Sequence, residues 1–419
     1  MQTTAVRLHA TAVRLHGEND IRLEAFPLPP INDDEALLRV ITDSLCTSTY
    51  KAVRQGKNHK RVPEDVSENP VIIGHEMCGE LVALGKNLQN DWQVGQRIII
   101  QPALKLENGH DPGYSYPYIG GAATYAVVPR IVLERGCMLP FDGDGCYKGS
   151  LVEAIGCVLR GFKGLYHTDY TDYTRTDGAK AGGRIAILGG AGPMGLAAAA
   201  LAVNYAKASV VTVVDVNAER LAYAEKRFPA ASYVNTSGCD NPAAMLRELS
   251  GGGYDDVFVM VPVPSLFTLA EEICREDGCI NFFAGPAKHD FPGSLNLYRV
   301  HYDGIHVVGT AGSIPADTAE TVKLIEDGVI DPSIMVSHIL GLNAYADAIY
   351  DMEHPSGLKK VCYTHLDLPM TAIEDFAERG KSDPLFAELD RIVKAHGGLW
   401  CREAENYLLA NAPRIGEKA

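Results

Sequence analysis

The sequence contains no run approaching about 18 unbroken apolar residues, so a bilayer-crossing helix is not expected. Its opening, MQTTAVRLHATAVRLHGEND, lacks the apolar core of a secretory signal. No two cysteines are spaced as CxxC, and the 10 cysteines are scattered through 419 residues. Without a signal, that usage reads as reduced thiols in a cytoplasmic protein rather than a disulfide frame. A basic surplus is also missing: Lys+Arg number 38 against 53 Asp+Glu, a net charge of -15. Such a surface argues against nucleic acid or an anionic membrane as the main partner, although it is compatible with a local basic site. What is present is ordinary: 46% hydrophobic and 22% charged residues, enough for a large core, over a length that suggests two or three domains.

The segment Thr4-Ala5-Val6-Arg7-Leu8-His9 returns as Thr11-Ala12-Val13-Arg14-Leu15-His16. Two copies are too few for a repeat architecture, so one is expected to form the first strand and the other to fray. Residues 21–160 carry short β-like runs at 36–42, 80–84, 97–101 and 124–128, punctuated by Gly, Pro and Asn/Asp. They predict an irregular, mostly antiparallel sheet. Near residue 160 the texture changes. Apolar strand-like runs at 184–188, 210–214, 256–261 and 279–283 alternate with helical patterns at 194–207, 218–227 and 265–275, and 304–309 offers a last strand. That alternation implies a parallel sheet covered on both faces. A helix at 317–327 and a strand at 359–363 follow. The tail reads as helical and polar with an apolar stripe, and Trp400 within it argues that it packs down.

The run 184–188 leads into Gly190-Ala191-Gly192-Pro193-Met194-Gly195, a G-x-G-x-x-G between a strand and an Ala-rich helix. The first Gly permits the tight turn, the second lets a pyrophosphate approach the backbone, and the third lets helix pack on strand. The helix N-terminus, from Pro193 and Met194 on, offers N–H groups to the phosphates. Asp215, 20 residues past Gly195, is placed to take the adenosine ribose hydroxyls and would repel a 2′-phosphate, so NAD(H) is favoured over NADP(H). Arg220 is the counter-argument, since from the next helix it can reach toward such a phosphate.

Three further pieces carry chemistry. Cys46 stands at a strand end in Asp43-Ser44-Leu45-Cys46-Thr47-Ser48, His75 and Glu76 lie in Gly74-His75-Glu76-Met77, and Glu153 lies in Leu151-Val152-Glu153-Ala154. A thiolate, an imidazole and a carboxylate at long separations suit catalytic zinc, because three protein ligands leave a position for water or substrate. Each alone is more commonly a core residue. The metal reading gains from their joint occurrence ahead of a dinucleotide fold.

With these motifs in this order, the chain resembles the zinc-dependent medium-chain dehydrogenases/reductases, the alcohol and polyol dehydrogenase superfamily, over most of residues 20–366. The resemblance implies an α/β protein: a GroES-like, mostly-β catalytic domain (1–158, returning at 314–366), a Rossmann doubly wound parallel-sheet domain (159–313) and a helical C-terminal extension (367–419). It implies zinc on Cys46, His75 and Glu153, with Glu76 as a fourth ligand or close neighbour, and Ser48 as the proton-relay hydroxyl. It implies a nicotinamide running along Val261, Phe283 to Gly285 and Thr310 into the cleft between domains, and a homodimer or homotetramer joined through the edge strand near Val307. Glu153 where many alcohol dehydrogenases use Cys points to the polyol branch, and Cys157, one helical turn later, is read as packing.

Two departures matter. The family's four-Cys structural zinc lobe would fall near 100–120, but residues 100–121 contain no Cys, so one catalytic zinc and no structural zinc are expected. The acid that often follows the ligand Cys is here Thr49, and no His follows, which leaves Lys51, a ribose hydroxyl or water for the proton's exit. Within the superfamily the chain is similar to L-sorbose-1-phosphate reductases at residues 48–51, 58–63, 300–302 and 307–310 and in its extension. A physical correlate exists: Lys51, Lys57, Lys60 and Arg61 place four cations in 11 residues of an acidic protein, suited to holding a sugar phosphate near zinc. A solvated basic loop is the competing reading. His59, His301 and Tyr302 are further candidates for lining the cleft. The expected activity is hydride transfer between NAD(H) and a ketose or polyol carried as a sugar phosphate. The alternatives are an unphosphorylated polyol or secondary-alcohol dehydrogenase, a zinc-free quinone reductase, which would lack these ligands, and a nucleotide-sensing or structural protein on the same scaffold.

Overall fold

The structure, a computed structural model, describes residues 8–416 except Ala287 and Pro355. Residues 4–7 of the first copy of the opening repeat lie outside the described residues, while the second copy lies in the strand His9–Gly17. The chain divides into two compact units, one of residues 1–153, 314–326 and 336–419 and one of 154–313 and 327–335.

In the first unit the spine is the strand Ala36–Ser44, which pairs antiparallel with Met77–Leu84, Tyr125–Val128 and Lys359–Tyr363. The sheet widens through Arg97–Ile100 and Met138–Pro140 on one side and Val336–Gly341 on the other, the last lying parallel to Lys359–Tyr363. Antiparallel strands alternate inward and outward residues, yet the end of the spine is buried throughout. Thr42, Asp43 and Ser44 are all sealed from solvent, with Asp43 opposite both Met77 and Cys362. One core packs Val40, Met77, Ile98 and Val128, and a second packs Leu45, Val53, Tyr114 and Ile349. The tail forms helices Pro384–Ala395 and Arg402–Asn411. Phe386, Leu389 and Val393 recur at helical spacing and are buried, and Trp400 is fully buried, as the apolar stripe predicts.

The second unit contains six parallel strands in the order Ser232–Asn235, Val210–Asp215, Arg184–Leu188, Tyr254–Val259, Cys274–Phe282 and His306–Gly309. This is a doubly wound order, in which ligands bind beyond the carboxyl ends of the strands. The helix Pro193–Asn204 is apolar on all sides and buried from Gly195 to Ala202, as a helix inside a large α/β core must be. The sequence reading did not expect the hairpin of Tyr166–Asp169 and Thr174–Asp177, the strand Ser232–Asn235, or the helices Pro242–Leu249 and Leu297–Tyr302. The helix expected at 265–275 ends at Ile273, and the next strand begins at Cys274 instead of residue 279. Residues 274–278 carry too few apolar positions to reveal it.

His365 ties the tail side of the first sheet together. Its Nε2 lies 3.0 Å from the Thr124 carbonyl oxygen, and its ring stands edge-on to Tyr125. Burial, with the Arg39 and Arg414 charges, pulls its pKa from 6.5 to about 4. The fold therefore prefers the neutral ring, and the unfolded chain binds a proton that the folded chain refuses. Stability on this account is complete above about pH 6.5 and is lost as pH falls toward about 4. His365→Asn is expected to remove about one of the protons taken up on unfolding at pH 5, measured as a shallower fall of stability between pH 6.5 and 4.5 in denaturant titrations.

Candidate metal centre and dinucleotide site

Cys46 leaves the spine strand in extended conformation and precedes the helix Thr47–Gln55. Ser48 and Thr49 thus lie on the first helical turn beside it. His75 and Glu76 follow Gly74, whose φ is +87° and whose Cβ, were it present, would stand 2.5 Å from Asp43 Oδ2 and 2.8 Å from the Ala122 nitrogen. Only glycine fits this turn. Donor atoms of Cys46, His75 and Glu76 lie within 4.8 Å of one another.

The local hydrogen bonds orient the donors. Thr49 Oγ1 is 3.1 Å from His75 Nδ1, while Ser48 Oγ and Tyr114 Oη are each 3.3 Å from His75 Nε2. A neutral ring donating Nδ1–H to Thr49 keeps its Nε2 lone pair toward the cluster. Burial, and then the balance of Glu76, Lys359 and Arg61, lowers the His75 pKa to about 4, so the ring is neutral. Ser48 Oγ donates to Cys46 Sγ at 3.1 Å and accepts from Tyr114 Oη at 2.8 Å. Burial and then Glu76 push the Cys46 thiol up to about 12.

Glu76 is held from several sides. Burial alone would raise its pKa, but the Lys359 ammonium, His75 and hydrogen bonds from Lys359 and Ser44 bring it below the usual value. Lys359 Nζ lies 2.6 Å from Glu76 Oε1, bonds Oε2 as well, and reaches the Leu45 carbonyl oxygen at 3.3 Å. The Glu76 N–H donates to Asp43 Oδ1 at 3.1 Å, and Tyr345 Oη donates to Asp43 Oδ2 at 2.6 Å. Glu153 occupies the first turn of the helix Val152–Lys163, and its charge acts on Cys46, Tyr114 and Lys359. Sulfur, imidazole and carboxylate donors so placed suit zinc.

The basic residues divide. Lys60 and Arg61 line a cavity of about 360 Å³ with Lys105, Glu107 and Asp111. Arg61 Nε pairs with Asp111 at 2.8 Å and its guanidinium lies 5.0 Å from the centre of the Tyr114 ring. His59 stacks on the same ring at 5.9 Å; burial, Arg61, Lys60 and Lys51 draw its pKa down to about 4. Lys51 is half-buried on the helix Thr47–Gln55, and Lys57 is exposed in the turn Gly56–Asn58.

In the second unit Gly192 caps the helix Pro193–Asn204 without a side-chain bond, leaving the first-turn N–H groups of Met194 and Gly195 unclaimed by a cap side chain. A Cβ on Gly195 would lie 2.0 Å from the Gly190 carbonyl oxygen, whereas one on Gly192 would meet nothing within 4 Å. Close packing at the third Gly and open space at the second are what a bound pyrophosphate requires. Asp215 accepts from the N–H groups of Ala191, Val216 and Asn217 at 2.8–3.2 Å. Arg220 is exposed on the next helix. Val261, Gly285 and Thr310 lie just beyond the carboxyl ends of Tyr254–Val259, Cys274–Phe282 and His306–Gly309, with Thr310 Oγ1 3.4 Å from the Asn281 side chain. Tyr302 is exposed on the helix Leu297–Tyr302 against His301. The sequence reading missed Tyr114, Lys105, Asp111 and Lys359. Two lysines opening an apolar strand at 359–360 were the available signal for the last.

Fold and donor set define a class, and sequence comparison agrees: the chain belongs to the zinc-dependent medium-chain dehydrogenase/reductase superfamily of oxidoreductases, which includes the alcohol and polyol dehydrogenases. The alcohol dehydrogenase GroES-like domain matches residues 32–135 and the zinc-binding dehydrogenase domain residues 193–327. The chain is 44% identical to L-sorbose 1-phosphate reductase of Klebsiella pneumoniae, over 99% of both chains. It is 45% identical to the uncharacterised protein YggP of Escherichia coli K12, over 97% of this chain and 98% of that one. With mannitol-1-phosphate 5-dehydrogenase of Aliivibrio fischeri it shares 41% identity, over 95% of this chain and 97% of the relative. In fold it is similar to 2R,3R-butanediol dehydrogenase from Bacillus subtilis, with TM-score 0.71 and 22% identity, covering 85% of this chain and 99% of the other. A zinc-binding dehydrogenase from Sinorhizobium meliloti bound to NADP gives TM-score 0.70 over 85% of this chain and 100% of the other.

Removing Lys359 leaves the Glu76 carboxylate buried without its cation. Lys359→Met is expected to destabilise the protein by about 3–5 kcal/mol, with most of the loss recovered in the double variant Lys359→Met/Glu76→Leu, as read from chemical denaturation.

Proposed function

We propose that the protein catalyses reversible hydride transfer between NAD(H) and a ketose or polyol that carries a phosphate, of the L-sorbose 1-phosphate to D-glucitol 6-phosphate type. The observation that carries the reading is Tyr114. Its hydroxyl reaches Ser48 and His75 while Arg61, from the basic cavity, lies over its ring. The residues around the proposed metal and the arginine that shapes the basic cavity thereby share one buried side chain. The phosphate-specific names of two relatives more than 40% identical over nearly their whole length support the same reading.

In this assignment Cys46, His75 and Glu153 hold one zinc, and no structural zinc is present. Zinc, when bound, supplies Lewis-acid polarisation of the substrate carbonyl and charge for the developing alkoxide. Glu76, already committed to Lys359, is a neighbour that tunes the field rather than a donor. Thr49 fixes the His75 ring. Ser48 Oγ, fixed by Tyr114, holds the proton that the carbonyl oxygen takes in reduction and receives it back in oxidation. Lys60 and Lys105, which among the described residues have no carboxylate within ion-pair distance, bind the phosphate, and Arg61 shapes their loop through Asp111. Gly190, Gly192, Pro193, Met194 and Gly195 cradle the pyrophosphate, and Asp215 takes the ribose hydroxyls.

We also place the protein in the cytoplasm, on 10 cysteines that form no disulfide among the described residues. We assign it as a homo-oligomer through the edge strand His306–Gly309, where Val307 is 43% exposed beside Phe267, Phe282 and Phe291. Light scattering on the purified protein reads the latter directly.

Steady-state reduction of a ketose with and without its phosphate tests the substrate reading. The phosphate form should have the lower KM, NADH should outperform NADPH, and Lys60→Ala/Lys105→Ala should raise that KM about 10- to 100-fold while leaving the unphosphorylated substrate unaffected. Equal KM for the two substrates would favour an ordinary polyol dehydrogenase. Metal analysis is expected to give one zinc per chain, and Cys46→Ser to lose both zinc and turnover; an active, zinc-free protein would overturn the assignment.

A further inference from the structure

The C-terminal extension bonds the segment leading to Glu153 through a buried carboxylate. Glu405, on the helix Arg402–Asn411, is 3% exposed. Its Oε2 accepts from the Cys146 N–H and its Oε1 from the Tyr147 N–H, both at 2.8 Å, and Oε1 also accepts from Tyr363 Oη at 3.1 Å. Tyr363 Oη in turn accepts from Trp400 Nε1 at 2.7 Å, so the tail's Trp fixes the hydroxyl that fixes its Glu. The packing leaves no slack, because a Cβ on Gly145 would stand 2.9 Å from Glu405 Oε2.

The segment so held is the one that delivers Glu153. Residues 146–149 form a single helical turn, and the chain passes through Ser150 and Leu151 directly into the helix Val152–Lys163. The same segment braces Ser44 and, through it, Glu76 beside the donors. Thr42 Oγ1 donates to the Cys146 carbonyl oxygen at 2.8 Å, and Ser44 Oγ bonds both the Ser150 carbonyl oxygen, at 3.1 Å, and Glu76. From Glu405 to the Glu76 carboxylate there is an unbroken path of hydrogen bonds and 5 residues of backbone, 146 to 150, all within the first unit. Solved relatives of this fold match only 85% of this chain while covering 99% of their own. This chain therefore carries material that a minimal enzyme of the fold lacks.

We propose that Glu405 is a positioning residue for the metal donors: by holding Cys146 and Tyr147 it sets where Glu153 and Ser44 stand, and it makes the C-terminal extension part of the active-site scaffold. The inference rests on the assignment of Cys46, His75 and Glu153 as donors proposed above. Ligand-orienting partners of this kind are worth about 10- to 100-fold in metal affinity. A carboxylate is needed because two backbone N–H groups and a hydroxyl all donate to it. A carboxamide has one acceptor oxygen, and its NH₂ would face a donor.

The test uses the full-length protein with cobalt(II) in place of zinc. Wild type should show a thiolate-to-cobalt charge-transfer band. Glu405→Gln should alter the cobalt ligand-field bands and weaken cobalt retention against a chelator at least about 10-fold. Leu389→Ala, a core deletion in the other tail helix, controls for general loosening. It should lower Tm but leave the cobalt spectrum and retention as in wild type. If Glu405→Gln does not fold, Glu405→Asp, which keeps the charge and retracts it by one methylene, should show the same spectral change. Wild-type bands and retention in the Gln or Asp variant, with only Tm reduced, would overturn the proposal. A wild-type protein without a thiolate-to-cobalt band would overturn the metal assignment itself and the inference with it, a failure distinguishable from the first.

Discussion

A carboxylate and an ammonium sealed away from water, Glu76 and Lys359, set the terms for the first unit. Either alone would cost several kcal/mol in that interior, and each is tolerable only with its partner and a full set of hydrogen bonds. Those bonds come from three segments far apart in sequence: Ser44 and Leu45 after the spine strand, His75 and Glu76 after the Gly74 turn, and Lys359 at the start of its own strand, 283 residues from Glu76. A buried ion pair is weak evidence for stability but good evidence for register. A slip of either strand by one residue would aim Lys359 at the opposite face and leave two uncompensated charges. The donor cluster is thus assembled by a constraint that does not itself touch a substrate.

The same pair decides the chemistry the cluster supports. Lys359 neutralises the Glu76 charge beside Cys46 and His75. Burial keeps Cys46 a thiol in the absence of a cation, with its pKa up at about 12. A neutral His75 and a thiol that ionises only against local positive charge suit a site that gives up a proton as it takes up a cation. Thr49 Oγ1 lies 3.1 Å from His75 Nδ1, and a hydroxyl there accepts Nδ1–H without adding negative charge beside Cys46.

How far these features were legible depended on how local their causes are. The Gly190–Gly195 turn, the strand Arg184–Leu188 and the helix Ala218–Arg227 were readable because each is dictated by neighbouring residues: glycine spacing, an apolar run, an Asn217 cap that accepts from the Arg220 N–H at 3.0 Å. The candidate donors were readable as residue types in family order. The hairpin at Tyr166–Asp177 was not, because Thr174–Asp177 is exposed along its whole length and has no apolar alternation to announce a strand. Tyr114, Lys359 and Glu405 escaped for another reason. A buried Tyr, Lys or Glu looks like any other until its partner, 39 to 283 residues away, is known to be beside it, and those distances are set by topology rather than by local pattern.

The charge distribution links the substrate to the fold. A protein of net charge -15 repels phosphate esters at long range, but at physiological salt that field is screened beyond about 8 Å, so recognition is left to charges near the site. There the chain does the opposite of its average. His59, among Arg61, Lys60 and Lys51, has its pKa lowered by their field as well as by burial, so the local potential is positive. Arg61 is spent on Asp111 and the Tyr114 ring, interactions that suit its planar fork, and holds the loop in shape. Lys60 and Lys105, compact charges on flexible stems, are the groups we propose to bind the phosphate. On that proposal the loop that looks like a solvated basic run in sequence contains both an anchor and a binding edge, and its arginine and its lysines are not interchangeable.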